Sequence, residues 1–351
     1  MASYRFVRSA VVVFACLIVP TGMAHAQVVL TDNLSLTGNA DVFFRHANDN
    51  QNSLQLSQYQ LDVDYSHKKS GLFSHAEFEG RGGDVFGNDQ LDKNQFRIEA
   101  AFIGYHFDFG LDLKIGRIIS PSGYEGAEPW KRFTRISAFG GIFAYLQNGV
   151  ALVYKAAPIS LAGNDFVFVA YGSFIDGAWT GDTDLEDPSF EVSAGFDWYA
   201  FTVRADFAYE RYNDHGALDF VDQNRTLVNV WVQYTVGNFG VAAEYNRQDE
   251  INGADGGLWA SNGAMLFLKY AFTRHWLLGL RGSFAHYDDR DGNELFDSQE
   301  ITLAPRWQVF DQVNDGVNWD IRADFRAQIG TDAIQGFKEG FVFELGTTLR
   351  Y

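Results

Sequence analysis

Residues 317–327 read Val-Asn-Trp-Asp-Ile-Arg-Ala-Asp-Phe-Arg-Ala and alternate without a break. Val317, Trp319, Ile321, Ala323, Phe325 and Ala327 take one parity; Asn318, Asp320, Arg322, Asp324 and Arg326 take the other. Successive side chains of a strand point to opposite faces, so this segment has one apolar and one charged face. The last eleven residues repeat the pattern, with Phe341, Phe343, Leu345, Leu349 and Tyr351 opposite Glu344 and Arg350. Upstream, Phe190 to Trp198, Phe201 to Tyr209 and Val228 to Val236 alternate in the same way.

A soluble β-sandwich also alternates. Three features point instead to strands in a bilayer. The segments run about ten residues or more, the length a tilted strand needs to cross. Short and long connections alternate along the whole chain. Aromatics also collect at the strand ends, with Phe107, Phe109, Trp198, Phe201, Phe239, Phe272, Trp276 and Trp319 flanking the short turns. Rings that tolerate both lipid tails and headgroups gather at that boundary.

The connections set the topology. About sixteen strands, with bounds of about 14 and 18 because each strand's signal is weak, start near residues 34, 54, 72, 95, 111, 148, 165, 189, 201, 226, 238, 262, 275, 299, 317 and 340. Short turns such as 67–71, 106–110, 199–200 and 237–238 alternate with long polar loops at 46–53, 81–94, 119–147, 175–188, 212–225, 248–261, 288–298 and 330–339. An even count puts both chain ends on the short-turn side. Unpaired backbone amides cost several kcal/mol each in lipid, so such strands must close. The expected fold is all-β: a transmembrane, antiparallel, up-and-down β-barrel. At about sixteen strands it is too wide for side chains to fill and leaves an aqueous lumen.

The N-terminus reads as a cleaved signal peptide over residues 1–26, and residues 27–351 as the barrel. Arg5 and Arg8 precede an apolar run from Ala10 to Val19, too short to span as a helix. Pro20, Gly22 and the Ala24-His25-Ala26 pattern follow. Cys16, the single cysteine, falls inside the signal, so disulfides and thiol chemistry are excluded from the remainder. The whole chain carries −18; without Arg5 and Arg8 it carries −20, which disfavours nucleic acid as a partner.

Two short stretches resemble known proteins. The terminal strand ending on Tyr351 resembles the C-terminal signal by which the barrel assembly machinery recognises outer-membrane barrels. Gly116-Arg117-Ile118-Ile119-Ser120-Pro121-Ser122-Gly123-Tyr124-Glu125 resembles the strand-to-loop segment of the OmpL-like β-barrel porins. The resemblance implies a bacterial outer-membrane location among lipid and lipopolysaccharide, passive diffusion of small hydrophilic solutes and ions, a homotrimer, and a third outer loop folded into the pore. That loop is residues 119–147. Its Tyr124, Glu125, Glu128, Lys131, Arg132 and Arg135 are the candidate constriction, facing wall candidates Lys114, Arg204, Arg281, Arg306, Arg322 and Arg326. Acidic residues slightly outnumber basic ones on the inward parity, which favours cations.

Other readings remain open at this point. Asp289, Asp291, Asn293, Asp297 and Glu300 fall at calcium-loop spacing, but position 6 is Glu294 where glycine is required. An acidic solvated loop accounts for the same residues, and no cofactor is expected. A substrate-specific channel, for sugars for example, calls for a ladder of lumen aromatics, and Trp130, Trp179 and Trp259 are too few. A barrel enzyme or an adhesin is the remaining alternative. His46, His67, His75, His106, His215, His275 and His286 lie in no nucleophile or metal motif, so no catalytic residues are assigned.

Overall fold

A computed structural model describes residues 28–47, 52–81, 95–121, 123, 146–176, 188–213, 222–252, 257–288, 294–311, 318–331 and 340–350. The first strands are β1 (Val28–Thr31), β2 (Leu34–Ala47), β3 (Asn52–His67), β4 (Leu72–Arg81), β5 (Gln95–Phe107) and β6 (Leu111–Ile119). There follow β7 (Leu146–Lys155), β8 (Ile159–Leu161), β9 (Asn164–Asp176), β10 (Pro188–Trp198), β11 (Phe201–Asn213) and β12 (Asp222–Val236). The last six are β13 (Phe239–Asn252), β14 (Gly257–Ala271), β15 (Trp276–Asp288), β16 (Glu294–Asp311), β17 (Asn318–Thr331) and β18 (Gly340–Arg350).

Each long strand pairs antiparallel with its neighbours in sequence, and β18 returns to β2 with Val342 opposite Ala47 and Arg350 opposite Asn39. Leaving aside the short β1 and β8, sixteen strands form one closed ring. The ring has no free edge, the condition that lipid imposes. β1 takes up the seam where β18 stops: Val28 and Val29 pair with Leu36 and Ser35 of β2.

The distribution of side chains is the reverse of a soluble core. Glu79, Glu99, Glu191, Arg281 and Asn229 are fully buried, while Ile103, Phe174, Leu266, Ile301 and Ile329 stand more than half exposed. In β16 the switch occurs between adjacent residues, Ile301 at 62% exposure and Thr302 at 0%. An apolar outer face suits hydrocarbon, and the polar atoms gather where the ring encloses them.

The sixteen strand starts agree with the alternation within about five residues. The differences have physical causes. β12 to β16 reach further toward the long-loop end than hydrophobicity predicts, with Gln223 paired to Asn252 and Asn252 to Gly257. A backbone ladder needs no apolar side chains, so pairing continues past the lipid boundary. β1 and β8 lack a periodic signal because each is too short to show one. β8 forms a small hairpin with β9 inside what the sequence suggests is a plain turn at 157–164. The short turns keep close geometry. Gly110 sits at φ +87°, where its carbonyl accepts from the Lys155 amide and a Cβ would meet the Lys155 oxygen at 2.3 Å.

The expected girdle lies on the outer face of the short-turn end. Phe109, Phe201, Phe239, Phe272 and Trp276 are all exposed. Trp276 stacks on Trp307 at 5.6 Å, and Trp319 donates from Nε1 to Thr347 Oγ1 at 2.7 Å.

Candidate pore lining

Three chemically distinct sectors stand out on the described inner wall, apart from the carboxylates and amides of β10 to β13. Along β3 to β5 it is acidic: Asp62 and Asp64 of β3 sit opposite Glu77 and His75 of β4, followed by the buried Glu79 and Glu99. From β5 to β9 it is apolar, with Ile118, Ala151 and Tyr171 buried together against Phe102 and Val153. On β15 to β18 arginines and carboxylates interlock. Arg281 bonds to Glu300, and Arg306 bonds to Asp320. Arg326 lies 3.4 Å from Glu300 and 3.6 Å from Glu344, all within a few per cent of complete burial. Buried charges persist when paired in this way.

The sectors hold a definite position around the ring. Eight pairings separate β6 from β15 in either direction, so Arg281 faces the strand from which the longest loop departs. At that departure Ser120 Oγ donates to Glu191 Oε1 of β10 at 2.7 Å. The ladder leads from Glu191 to Ser173, then Ala151, then Lys114. Ser120 thus reaches Glu191 although β7 and β9 stand between their strands in the wall.

A closed sixteen-strand ring with this lining is the architecture of an outer-membrane channel, and comparison with known proteins agrees. The family described as "Putative beta-barrel porin-2, OmpL-like" matches residues 21–344. The chain belongs to that family. It is an outer-membrane porin of the OmpL-like class.

Solved porins share its fold at low identity. OmpT of Vibrio cholerae in its trimer form is 11% identical with a TM-score of 0.62, covering 93% of this chain and 99% of its own. An anion-selective porin from Comamonas acidovorans is 14% identical with a TM-score of 0.62, covering 91% and 98%. Salmonella typhi OmpF in complex with daunomycin is 14% identical with a TM-score of 0.65, covering 93% and 100%. No curated protein sequence matches the chain.

The wall residues expected from parity all lie on inward positions of the porin. Lys114 lines a cavity with Asp112 and His106, its Nζ 4.9 Å over the Phe102 ring. Arg204 forks onto Asp197 at 2.9 and 3.1 Å and stacks over Trp231. Arg281, Arg306, Arg322 and Arg326 share one sector rather than ringing the lumen. Tyr124, Glu125, Glu128, Lys131, Arg132 and Arg135 lie outside the described residues, as do residues 1–26 and Tyr351.

For the calcium spacing, Asp289, Asp291 and Asn293 also lie outside the described residues. Asp297 is inside β16, opposite His286. Glu300 turns into the lumen and is held by Arg281, Arg326 and Thr302, so its oxygens already have donors. Two buried lumen carboxylates are not expected there from the sequence: Glu191, although its strand alternates, and Glu300, which the calcium spacing claims. Glu210 lies on the polar face that alternation gives β11.

Proposed function

We propose that this porin conducts small hydrophilic solutes and ions by passive diffusion through a water-filled lumen, narrowed by the chain that follows β6 and mildly selective for cations. The hydrogen bond from Ser120 to Glu191 carries the constriction reading. Strands stand about 4.7–4.9 Å apart, so a contact that bypasses two of them requires the chain to leave the wall inward. The apolar patch of Phe102, Ile118, Ala151, Val153 and Tyr171 supports the same reading, since an apolar surface inside an aqueous lumen is stabilised by a covering segment. In this reading Glu125 and Glu128 supply the acidic side of the constriction and the arginine sector the basic side, which would give a transverse field for orienting dipolar solutes.

The acidic β3–β5 sector supports the cation preference, because rings of carboxylates favour cations. Residues 1–26 serve as the export signal and Tyr351 as the contact for barrel assembly. A homotrimer is the proposed assembly, supported by the trimer form of a structural neighbour. The channel reading calls on no catalytic group, and it is preferred to a barrel enzyme because the inward polar groups pair with one another across neighbouring strands. The deciding experiment is single-channel conductance of refolded residues 27–351 in a planar bilayer. Large, stable steps are the expected result. Insertion without conductance would overturn the reading and favour a plugged barrel.

A further inference from the structure

Asp62, His75 and Glu77 bring two carboxylates and an imidazole within 4.8 Å of one another on the inner wall of β3 and β4. Asp62 stands directly opposite Glu77 in the ladder, and like charges in that position destabilise a sheet. Glu77 is 2% exposed, and its Oε1 has no hydrogen-bond partner. A buried carboxylate oxygen without a donor carries its full desolvation penalty. A dication held by the Glu77 carboxylate would offset the like charges, and bidentate contact would also satisfy Oε1. We propose that these three side chains form a site for a divalent transition-metal ion of the zinc class.

The surrounding groups fit that role. His75 Nδ1 lies 2.8 Å from Asp64 Oδ1, which orients the ring and turns Nε2 toward Glu77. A carboxylate behind a histidine is the usual outer support of a zinc ligand. Nε2 is 3.6 Å from Glu77 Oε2, too long for a hydrogen bond. It is close to the roughly 3.4 Å that separates two donors of a tetrahedral ion with bonds of about 2.0–2.1 Å. Asp62 is fixed by Gln60 Nε2 at 2.7 Å and by Thr37 Oγ1 at 3.3 Å, and its oxygens keep lone pairs for an ion. β4 shifts register against β5 between Glu77 and Phe78, an irregularity of the kind that re-aims a side chain.

Three protein ligands leave a fourth position for water. A cavity of about 760 Å³, lined by Asp64, His75 and Lys114 among others, adjoins the histidine and gives an approach. An imidazole among carboxylates suits zinc, copper and nickel better than calcium or magnesium.

Calorimetric titration of Zn²⁺ into the purified full chain in detergent tests the site. One Zn²⁺ per chain is expected, weakened about tenfold or more by His75→Ala and by Glu77→Gln. His106→Ala serves as the control, since its imidazole contacts Asp112 outside the cluster, and binding should be unchanged. The electron paramagnetic resonance spectrum of Cu²⁺ on the unaltered protein should show coupling to a single imidazole nitrogen, a readout that needs no variant to fold. Absence of Zn²⁺ binding, equal binding in His75→Ala and Glu77→Gln, or a copper spectrum without imidazole coupling would each overturn the proposal. Metal uptake needs no ion conduction, so a silent channel would leave this site standing.

Discussion

Ser120 Oγ donates to Glu191 Oε1 at 2.7 Å, tying the residue after β6 to β10 across two intervening strands. A hydrogen bond to a carboxylate is worth about 1.5–3 kcal/mol, enough to hold a short segment against thermal motion. Removing the acceptor with Glu191→Ala should free that anchor. The expected result is a larger and less uniform single-channel conductance than in the parent protein. Ser120→Ala should act in the same direction. Unchanged step size in both variants would separate this contact from the constriction.

Selectivity tests the acidic sector. Asp62, Asp64, Glu77, Glu79 and Glu99 lie together on β3 to β5, with Lys114 bordering them on β6 and Arg97 opposite Glu79 in the ladder. The reversal potential in a potassium chloride gradient should show a cation preference that weakens as salt rises, since the screening length falls to about 3 Å at 1 M. Asp64→Asn combined with Glu79→Gln should reduce the preference at low salt. An anion-selective reversal potential in the parent protein would refute the assignment.

The barrel was legible in the sequence because its signal has period two and lipid permits few alternatives. Phe325 and Arg326 differ by one position, yet one faces out and the other lies buried against Glu300 and Glu344. Parity alone therefore places Arg281, Arg306, Arg322 and Arg326 on the inner wall. The up-and-down strand order then sets their three strands side by side, but which arginine meets which carboxylate depends on the register of β15 to β17, which parity does not give. Nor does parity pair Asp62 with Glu77, because that depends on the register of the β3–β4 hairpin. The Ser120 contact was out of reach for the same reason, since its partner lies 71 residues away.

Stability of the arginine sector follows from its burial. Glu300 is 3% exposed and accepts from Arg281 and Thr302, with Arg326 beside it. Glu300→Ala leaves two buried guanidinium groups short of an anion, and breaking a buried pair in this way costs about 3–5 kcal/mol. Urea unfolding of the refolded barrel in detergent should show a lowered midpoint. Arg281→Met together with Glu300→Met removes both charges and should recover part of the loss.

Gly116 offers a test inside the segment that resembles the family pattern. Its φ is +137°, and a Cβ there would come within 2.2 Å of the Ala101 carbonyl oxygen and 2.9 Å of the Phe102 Cα. Both obstacles are backbone atoms of β5, so neither can rotate away. Gly116→Ala should force β6 away from β5 just before the chain reaches Ser120. A reduced refolding yield is expected, together with altered conductance in the molecules that do fold.

Ile301 and Thr302 allow the two faces to be tested one residue apart. Ile301 is 62% exposed on the outer face, and Thr302 is fully buried inside, donating to Glu300 at 2.8 Å. An arginine on the lipid face costs about 2–4 kcal/mol at the bilayer midplane and less near the interfaces. Ile301→Arg should therefore lower folding stability in lipid vesicles while leaving ion selectivity unchanged. Thr302→Arg places a third guanidinium beside Arg281 and Arg326, so its main effect should be a reversal potential shifted toward anions. If the two variants exchanged these phenotypes, the inside and outside of β16 would have to be reversed. A one-residue register slip, or a bulge before Ile301, would be needed to achieve that.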